Sequence, residues 1–515
     1  MKQLKDLVAD ISATVTFCGS EEVSISGIAI DSRVVRRGDL FAALPGSHTD
    51  GLQYAGAAVA AGAHAVLAQV PPPPSLLPLP PHLAWLQADC PRTALAALAA
   101  AFFGHPSRSL TLVGVTGTNG KTTVCYLLES IFGAAGFSAG ALGTVSVRFA
   151  GRERSSPLTT PEAHELQRTL AEMVAAGVTH VAMEVSSHAI EQRRSAHCCF
   201  TTGLFTNLSR DHLDYHGDLA TYAAAKQRLF DEDLPACAAR GVTINLDDAV
   251  GRAIAASTPL PVVGFTLRPE GPPEAAVRVA ELSYDIDGGR IVLATPRGRL
   301  ALSTPLLGRH NIENVVSAAS VCELLDLPHE AVIRGVAALK AVPGRLERIE
   351  TDNGVAVLVD YAHTDDALAN VTQALAPLTR GRLITVFGCG GDRDRTKRPV
   401  MGRVAARNSD IMVVTSDNPR TEEPHAIIDE ILPGLREAGA AELPWDEIAT
   451  AARGFVVEVD RRRAIEAAVR IARPGDTVLV AGKGHEDYQI IGHERQHFDD
   501  REVLREALAT PNRQD

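Results

Sequence analysis

Paired cysteine motifs, long apolar runs and an excess of positive charge are all missing from this sequence. The eight cysteines among 515 residues are scattered, only Cys198 and Cys199 are adjacent, and no CxxC occurs. This usage is typical of a reduced, cytosolic protein. No window reaches the roughly 18 consecutive apolar residues of a membrane helix, and the first residues, MKQLKDLVADIS, lack the apolar core of a secretory signal. We therefore expect a cytoplasmic protein without a membrane span.

The net charge is negative, because 50 Lys and Arg residues stand against 62 Asp and Glu residues, which leaves −12. This balance argues against non-specific binding to nucleic acid or to an acidic membrane. Any anionic ligand must be held by local positive groups. The composition, 45% hydrophobic and 22% charged, is that of a soluble globular protein, and the length predicts two to four domains.

The order of strand-like and helix-like segments predicts an α/β protein of three domains. Residues 1–95 read as a small mixed α/β domain. Residues 96–340 alternate apolar strands with helices, which predicts a doubly wound, mostly parallel sheet that ends in a hairpin excursion over 277–308. Residues 341–515 predict a second doubly wound, Rossmann-like α/β domain. The proline-rich stretch Pro71 to His82 is expected to be an exposed loop without chemistry.

The segment GVTGTNGKTT, Gly114 to Thr123, is the strongest chemical signal. An apolar strand leads into a glycine-rich turn, and Lys and Thr then open a helix, which is the arrangement that cradles phosphates on backbone N–H groups. Lys121 is predicted to reach the terminal phosphates, and the Thr122 hydroxyl to hold Mg²⁺. The spacing departs from the standard Walker A motif, since Val115 stands five residues before Gly120. The alternative is an ordinary strand–helix turn with a surface lysine.

Two later segments offer metal ligands. Glu184 ends the apolar segment VAMEVSSH, where an open α/β sheet places its ligands. His212 follows in TNLSRDHLDYHG among carboxylates. Read alone, Glu184 is a simple strand-end charge and His212 a capping or core histidine. Their position after a phosphate-binding loop favours Mg²⁺ ligation.

Lys226 in DLATYAAAKQRLF shares one helix face with Tyr222 and Phe230, at positions i, i+4 and i+8. A buried ammonium is costly unless it is paired or loses its charge. Carbamylation by CO₂ turns the side chain into an anion that can orient Mg²⁺. The alternative is a lysine that snorkels, with its head group in water.

Taken together, these motifs resemble those of the Mur ligases. GTNGKTT, MEVSSHAIEQRR, FTNLSRDHLDYHG, YAAAKQRLF, GRHNIENVVSA, VPGRLE, DYAHTDDAL, GCGGDRDRTKRP, DNPRTEEP and AGKGHEDYQ occur in the order seen in that family, over nearly the whole chain. The resemblance implies an enzyme that uses ATP to add an amino acid to a UDP-MurNAc-peptide. It also implies that residues 1–95 bind the UDP-sugar, 96–340 bind ATP and 341–515 bind the amino acid.

The resemblance implies these site residues. ATP is expected to be bound by Gly117, Thr118, Asn119, Gly120, Lys121, Thr122, Thr123, Asn314, Arg345 and Asp360. The expected ligands of Mg²⁺ are Thr122, Glu184, His212 and the carbamate of Lys226. The UDP-MurNAc-dipeptide is expected to be bound by Ile30, Ser32, Ser47, His48, Thr49, Thr159, Thr160, Ser186, Gln192 and Arg194. Leu158 stands where some members carry Asn, so that side-chain hydrogen bond is not expected here.

The resemblance further implies that DNPR marks enzymes that add meso-diaminopimelate. Arg420 is then the specificity residue, because its guanidinium can bind the distal carboxylate of that amino acid in a bidentate manner. The rest of the pocket is Arg393, Asp417, Asn418, Pro419, Gly482 and Glu486. The implied reaction passes through an acyl phosphate, and closure of the last domain is expected to assemble the site.

Four alternatives remain at this stage. Arg420 could be a surface charge paired with Glu422 or Glu423. The chain could be a lysine-adding member of the family or a more distant folylpolyglutamate synthase. It could also be a P-loop ATPase that acts as a switch. We expect a monomer whose partners are small molecules: ATP, the UDP-MurNAc-dipeptide and the amino acid.

Overall fold

The computed structural model describes residues 1–11, 15–20, 22–46, 49–237 and 239–509. The chain divides into two compact units. The first unit comprises Met1–Arg278, Ala294–Gly298 and Val316–Gly335, and the second comprises Val279–Leu293, Arg299–Val315 and Val336–Asp515. Each unit is an α/β structure, as the sequence predicts. The finer division into 1–95, 96–340 and 341–515 stays a prediction.

The N-terminal part of the first unit contains a small sheet with the strand order β2-β7-β6-β5-β4. β4 to β7 run parallel to one another, and β2 is antiparallel to β7. The apolar strands β5, β6 and β7 are almost fully buried, with Trp85 at 0% exposure, whereas β2 is largely exposed. The elements are β1 Lys2–Gln3, α1 Leu4–Ala9, β2 Thr16–Gly19, β3 Ser24–Ile25, β4 Gly27–Ala29, β5 Asp39–Ala42, α2 Ala55–Ala60, β6 Ala65–Ala68, β7 Ala84–Gln87 and α3 Pro91–Phe102.

The rest of the first unit is built on a larger sheet with the order β11-β10-β9-β12-β8-β13-β14-β15. β9, β12, β8, β13, β14 and β15 are parallel, so their carboxyl ends lie at one edge. The elements are β8 Thr111–Thr116, α4 Lys121–Ala134, β9 Ala139–Leu142, β10 Val147–Phe149, β11 Arg152–Arg154, α5 Ala163–Ala175, β12 His180–Glu184, α6 Ser187–Glu191, β13 Thr202–Phe205, α7 Leu213–His216, α8 Leu219–Arg228, β14 Gly241–Asn245, α9 Ala249–Ser257 and β15 Val262–Thr266.

Some elements cross the boundary between the units. They are β16 Val277–Asp285, β17 Gly288–Thr295, β18 Gly298–Thr304, α10 Arg309–Leu324 and α11 His329–Ala338. β16, β17 and β18 are consecutive in the strand order, after β15. The predicted excursion over 277–308 is therefore three adjacent strands at a sheet edge.

The second unit contains a sheet with the order β19-β20-β24-β21-β22-β23, in which β20 to β24 are parallel. Its strands are near-continuous Val, Ile and Leu runs, as expected when helices cover both faces. The elements are β19 Glu347–Ile349, β20 Ala356–Asp360, α12 Asp365–Leu375, β21 Leu383–Phe387, α13 Lys397–Asn408, β22 Ile411–Val414, α14 Pro424–Glu437, α15 Trp445–Ile448, β23 Gly454–Val457, α16 Arg461–Ile471, β24 Thr477–Ala481, β25 Tyr488–Ile491, β26 Glu494–His497 and α17 Asp500–Ala509.

Two further expectations concern the surface. The stretch Pro71 to His82 lies between β6 and β7 with its residues exposed or half-buried, as predicted for a loop. Among the residues that the structure describes, no helix combines the length and the apolar composition needed to cross a membrane.

Candidate active site

The glycine-rich turn lies at the carboxyl end of β8 and opens α4. Gly117 (φ 146°) and Gly120 (φ 88°) adopt backbone conformations that other residues rarely tolerate. A Cβ on Gly117 would stand 1.9 Å from Thr206 Oγ1, so the close approach of the loop to β13 requires glycine. Lys121 Nζ donates to the carbonyl oxygens of Gly117 at 2.9 Å and Thr118 at 2.8 Å. The loop thus has the shape of a phosphate cradle with an ammonium folded over it.

The chain that leaves β13 braces this loop from the side. Asn119 N donates to Asn207 Oδ1 at 2.9 Å, and Thr206 Oγ1 donates to Asn119 O at 2.7 Å. Ser209 N donates to Thr118 Oγ1 at 3.0 Å. The sequence prediction missed these bracing residues, although they lie within FTNLSRDHLDYHG. Their position directly after a predicted strand is the sequence signal that could have found them, since parallel strands place their carboxyl ends side by side.

Lys226 lies on α8 with only 1% of its surface exposed, and Tyr222 and Phe230 on the same face are equally buried. The predicted apolar face is confirmed, although Phe230 lies just beyond the end of α8. Lys226 Nζ donates to Gly117 O at 2.9 Å, so the snorkelling alternative is wrong. Burial, and secondly the Lys121 ammonium, hold the pKa of the Lys226 amine well below its usual value.

Glu184 ends β12 and is 1% exposed. Its carboxylate accepts hydrogen bonds from Thr144 N at 2.9 Å and Thr144 Oγ1 at 3.1 Å. Thr144 Oγ1 also lies 3.0 Å from Thr159 Oγ1. Thr122, at the start of α4, is 5% exposed. In the described part of the chain, no three His, Cys, Asp or Glu side chains converge closely enough to hold a metal ion.

His212 precedes α7 with a left-handed backbone (φ 52°), and 46% of its side chain is exposed. Its ring lies edge-on to His188 at 4.9 Å and to Tyr222 at 6.1 Å. The Tyr222 hydroxyl lies 3.2 Å from Thr118 Oγ1. His212 is therefore joined to the glycine-rich turn through Tyr222. It is not a core histidine.

Four residues predicted to contact the sugar-peptide form one hydrogen-bonded group. Thr160 Oγ1 donates to Glu184 O at 2.8 Å and accepts from Ser186 N at 3.1 Å. Arg194 donates to Thr160 O at 3.1 Å and to Gln192 Oε1 at 2.7 Å. This group lies directly beside the end of β12, where Glu184 is found.

The N-terminal residues predicted to contact the uridine are placed less tightly. Ile30 and Ser32 are half-buried just after β4, and Thr49 is exposed. Ser47 and His48 lie outside the described residues. Arg92 Nη2 donates to Pro45 O at 3.3 Å, and Arg92 also lies 3.7 Å from Glu162, which pairs with Arg194 at 3.0 Å. Arg92 and Glu162, which the sequence prediction missed, thus connect this loop to Arg194.

Three predicted nucleotide contacts belong to the second unit. Asp360 ends β20, and its buried carboxylate accepts from Leu346 N at 2.7 Å and Ala362 N at 2.9 Å. Burial raises the pKa of Asp360, against the opposing charge of Arg345. The Arg345 guanidinium lies 5.1 Å from the centre of the Tyr361 ring. Asn314 is 5% exposed and donates to Asn311 Oδ1 at 3.0 Å.

The carboxyl ends of β22 and β24 bring together Asp417, Asn418 and Glu486. Asp417 and Asn418 are 5% and 6% exposed. Asn418 Nδ2 donates to Glu486 Oε2 at 3.1 Å. A Cβ on Gly482 would stand 2.8 Å from Asp417 Oδ2, so glycine allows the two strand ends to approach. These residues, with Pro419, form one cluster at the sheet edge, where the sequence predicts the amino-acid pocket.

Arg420 is half-buried and has a left-handed backbone (φ 52°). Its backbone is held by a bridge to Ile491, with Arg420 N donating to Ile490 O at 3.0 Å and Gly492 N to Arg420 O at 2.7 Å. Its Nη1 donates to Gly391 O at 2.8 Å. Arg393 is exposed on the loop after β21 and donates to Asp392 O at 3.0 Å.

The acidic residues after Arg420 are engaged elsewhere. Glu422 pairs with the buried Arg398 at 2.7 Å, and this hydrogen bond lowers the pKa of Glu422 to about 2. Glu423 caps α14 by accepting from Ala426 N at 3.0 Å. The alternative in which Arg420 is a surface charge paired with Glu422 or Glu423 is therefore wrong.

Two buried cations near the pocket escaped the sequence prediction. Lys483 is 0% exposed, and its Nζ donates to Asn418 Oδ1 at 3.1 Å. Arg461 forms a fully buried ion pair with Asp500 at 2.7 Å and also donates to Ser416 O and Ala481 O. Arg461 therefore pins the chain after β22 to the end of β24.

Comparison with known families gives matches along most of the chain. Residues 24–103 match the Mur ligase family catalytic domain, residues 115–322 the Mur ligase middle domain, and residues 344–484 the Mur ligase glutamate ligase domain. These three segments contain, respectively, β4 to β7 of the small sheet, residues 117–123 of the glycine-rich turn, and Asp417 and Asn418.

Individual relatives agree with these matches. The chain is 48% identical over 495 residues to a UDP-N-acetylmuramoyl-L-alanyl-D-glutamate–2,6-diaminopimelate ligase of Geobacter metallireducens, covering 95% of both chains. A solved structure of an enzyme with that name is 33% identical, with a TM-score of 0.66 and 94% of both chains covered. The MurF ligase of Thermotoga maritima, solved in complex with ADP, shares the fold at 17% identity, with a TM-score of 0.58 over 94% of this chain and 96% of that one. This chain belongs to the Mur ligase family.

Proposed function

We propose that this chain is an ATP-dependent ligase that adds meso-diaminopimelate to the D-glutamate of UDP-MurNAc-L-Ala-D-Glu, in peptidoglycan synthesis. The observation that carries the proposal is the position of Arg420. It is half-buried beside Asp417 and Asn418, and its Nη1 is held by backbone carbonyl oxygens rather than by an acidic side chain. A guanidinium held in this way is suited to a ligand carboxylate.

The nucleotide half of the proposal rests on residues 117–123. The backbone N–H groups of this turn and the start of α4 attract phosphate oxygens. Lys121 already lies across the turn, 2.9 Å from Gly117 O, and moves only its flexible end to reach a terminal phosphate. In the second unit, Asn314, Arg345 and Asp360 are the proposed contacts to the nucleoside.

Three residues of the first unit are proposed to hold a magnesium ion, because their donor groups suit it. Mg²⁺ prefers oxygen ligands, keeps several waters, and takes few protein ligands beside substrate phosphates. Glu184 supplies a buried carboxylate, Thr122 a hydroxyl and His212 a half-exposed imidazole. When bound, Mg²⁺ neutralises the phosphate oxygens during transfer.

Lys226 is proposed to carry a CO₂-derived carbamate. An amine must be neutral to add to CO₂, and burial favours the neutral amine of Lys226. A C–N bond forms, one proton of the neutral amine is released to solvent, and the carbamate nitrogen keeps one N–H beside two oxygens that share one negative charge. Because Lys226 lies against Gly117 O, that anion would stand beside the phosphate cradle, where it can orient the metal ion.

We propose that these residues support a reaction in two steps. The D-glutamate carboxylate takes the γ-phosphoryl group of ATP, ADP leaves, and an acyl phosphate is formed. The neutral amine of diaminopimelate attacks the activated carbonyl carbon, phosphate leaves, and the amine loses a proton to give the amide. The hydrogen-bonded group of Thr160, Ser186, Gln192 and Arg194 is proposed to hold the sugar-peptide beside Glu184. Holding the three substrates in register supplies most of the acceleration.

The amino-acid pocket gives the selectivity. Arg420, with Arg393 on the neighbouring loop, is proposed to bind the distal carboxylate, while Asp417 and Glu486 attract the distal ammonium. Lysine has the ammonium but lacks that carboxylate, so it leaves the guanidinium without its partner, and a buried polar group deprived of its partner rejects the ligand strongly. Ile30, Ser32, Ser47, His48 and Thr49 are the proposed contacts to the uridine end. We also propose a cytoplasmic location, where ATP is available, and a monomeric state.

The test measures phosphate release from ATP with the UDP-dipeptide present, with meso-diaminopimelate and lysine compared side by side. We expect release to depend on all three substrates and to favour diaminopimelate strongly. Equal use of lysine would contradict the substrate assignment. ATP turnover that ignores both the UDP-dipeptide and the amino acid would instead favour a switch ATPase.

A further inference from the structure

Lys483 is a fully buried lysine that contacts three of the residues proposed to bind the amino acid. It follows β24, and its Nζ lies 3.1 Å from Asn418 Oδ1, 3.6 Å from Asp417 Oδ1 and 3.6 Å from Glu486 Oε2. Three of the residues proposed to bind the amino acid thus meet at one ammonium. Asn418 and Lys483 are 65 residues apart in the chain, so only the fold reveals this contact.

The charges at this place are balanced. A buried ammonium is stable only when it is paired, and here two carboxylates and an amide oxygen surround it. Conversely, Asp417 and Glu486 would repel each other without a cation between them. Lys483 lies between the two carboxylates, and the second cation, Arg420, contacts the backbone carbonyl oxygens of Gly391 and Asn418. A pocket with such paired charges complements the distal end of a diamino diacid, which carries one ammonium and one carboxylate.

Lys483 also fixes which way the Asn418 amide points. Asn418 Oδ1 accepts from Lys483 Nζ and from Ile490 N at 3.0 Å, and its Nδ2 donates to Glu486 Oε2. An ammonium has no acceptor, and neither has a backbone N–H. A flipped amide would therefore set its N–H groups against two donors. Asn418 Nδ2 donates one proton to Glu486, and the other proton, which has no hydrogen-bond acceptor among the residues that the structure describes, can be donated to a ligand oxygen.

One acceptor in the same group lacks a hydrogen-bond donor. Asp417 Oδ1 is buried and has no hydrogen-bond partner in the described part of the chain, although Lys483 lies within ion-pair distance. Buried polar atoms are nearly always satisfied, so an exception at a site points to a ligand group. An ammonium of the bound amino acid would supply the missing donor.

We propose that Lys483 is a positioning residue for amino-acid recognition. It holds the Asn418 amide as a donor and keeps Asp417 and Glu486 together as acceptors, so that the pocket recognises an ammonium and a carboxylate at once. This role rests on the proposed function. Lys483 acts through these three side chains and does not itself touch the substrate.

The test is a set of steady-state measurements on full-length Lys483→Met, Asn418→Ala and the double variant. We expect each single change to raise the KM for meso-diaminopimelate about 10- to 150-fold, the range for a lost hydrogen bond to a charged group. The KM for ATP should stay within about twofold, because it reports on other residues. The double variant should be little worse than either single variant, since coupled residues give non-additive effects.

Matched controls separate positioning from general loss of structure. Lys340→Met removes an exposed lysine of the same unit and should change nothing. Lys483→Arg keeps the cation and should recover part of the affinity for diaminopimelate. If Lys483→Met does not fold, Lys483→Gln, which keeps one donor for Asn418, takes its place in the same cycle.

The outcomes divide cleanly. Wild-type protein that ignores diaminopimelate would overturn the proposed function itself. If the wild type depends on diaminopimelate, an unchanged KM in Lys483→Met overturns only the role of Lys483. So do additive effects in the double variant, or an equal rise of the KM values for all three substrates. A selective and non-additive rise in the KM for diaminopimelate supports it.

Discussion

Arg420→Ala tests the selectivity of the pocket most directly. In the described residues, the hydrogen bonds of the Arg420 guanidinium to protein use Nη1 alone, at Gly391 O and Asn418 O. The edge formed by Nε and Nη2 is therefore available for a bidentate contact with a carboxylate. Arg and Ala have a Cβ in common and suffer the same backbone penalty at φ 52°, so the substitution isolates the side chain.

The size of the effect follows from that contact. A hydrogen bond to a charged group contributes about 1.5–3 kcal/mol, which corresponds to a roughly 10- to 150-fold loss in kcat/KM for meso-diaminopimelate. The KM for ATP should be nearly unchanged. The kcat/KM for lysine should not fall, because lysine has no distal carboxylate to lose.

The assay is phosphate release with each amino acid varied at saturating ATP and UDP-dipeptide. Arg407→Ala, an exposed arginine on α13 of the same unit, is the matched control. Arg420→Lys keeps the charge without the planar fork and should remain impaired. Comparable increases in the KM for ATP and for diaminopimelate, or equal losses with lysine, would refute the reasoning.

Three other predictions follow from buried charges. Lys226→Ala should be nearly inactive and partly restored by short-chain carboxylic acids, which replace the carbamate; a lack of restoration would count against carbamylation. Arg461→Met leaves the buried carboxylate of Asp500 without its partner and should lower the free energy of unfolding by about 3–5 kcal/mol. Arg462→Met, at an exposed ion pair on the same helix, should change the free energy of unfolding by no more than about 0.5 kcal/mol. Similar losses for the two variants in denaturant titrations would contradict this. Burial raises the pKa of Asp233 to about 6. Because the pKa of this carboxyl is higher in the folded state than in the unfolded state, the free energy of unfolding falls as the pH rises from about 4 to about 6. Asp233→Asn should therefore stabilise the protein at pH 7 by up to about 3 kcal/mol and have little effect at pH 4, as measured by thermal unfolding.

The sequence predicted well what depends on strand ends. Apolar runs followed by Gly117, Glu184 and Asp417 placed each of these residues at the carboxyl end of a parallel strand, and the structure has them there. Periodicity on α8 predicted that Lys226 shares an apolar face with Tyr222 and Phe230, and that face is buried. Both signals are local, since they depend on residues within one or two turns or one strand.

What the sequence could not give was the direction of side chains across distant segments. Lys483 lies in a quoted motif, but nothing local shows that its ammonium faces Asn418. Arg461 looks like one of three consecutive arginines at the start of a helix, yet it alone is fully buried against Asp500. Such pairings depend on strand order and helix packing, which a single sequence does not encode in any short window.

The small hairpin of β25 and β26 has a consequence for engineering. Residues 489–492 grip the DNPR segment: Gln489 Nε2 donates to Asp417 O at 2.6 Å, Ile490 N bonds to Asn418, and the Ile491 bridge fixes the backbone of Arg420. Grafting the four residues of that segment into a lysine-adding homologue would supply the guanidinium without the backbone contacts that orient it. A successful exchange of specificity must therefore transfer the hairpin of β25 and β26 as well.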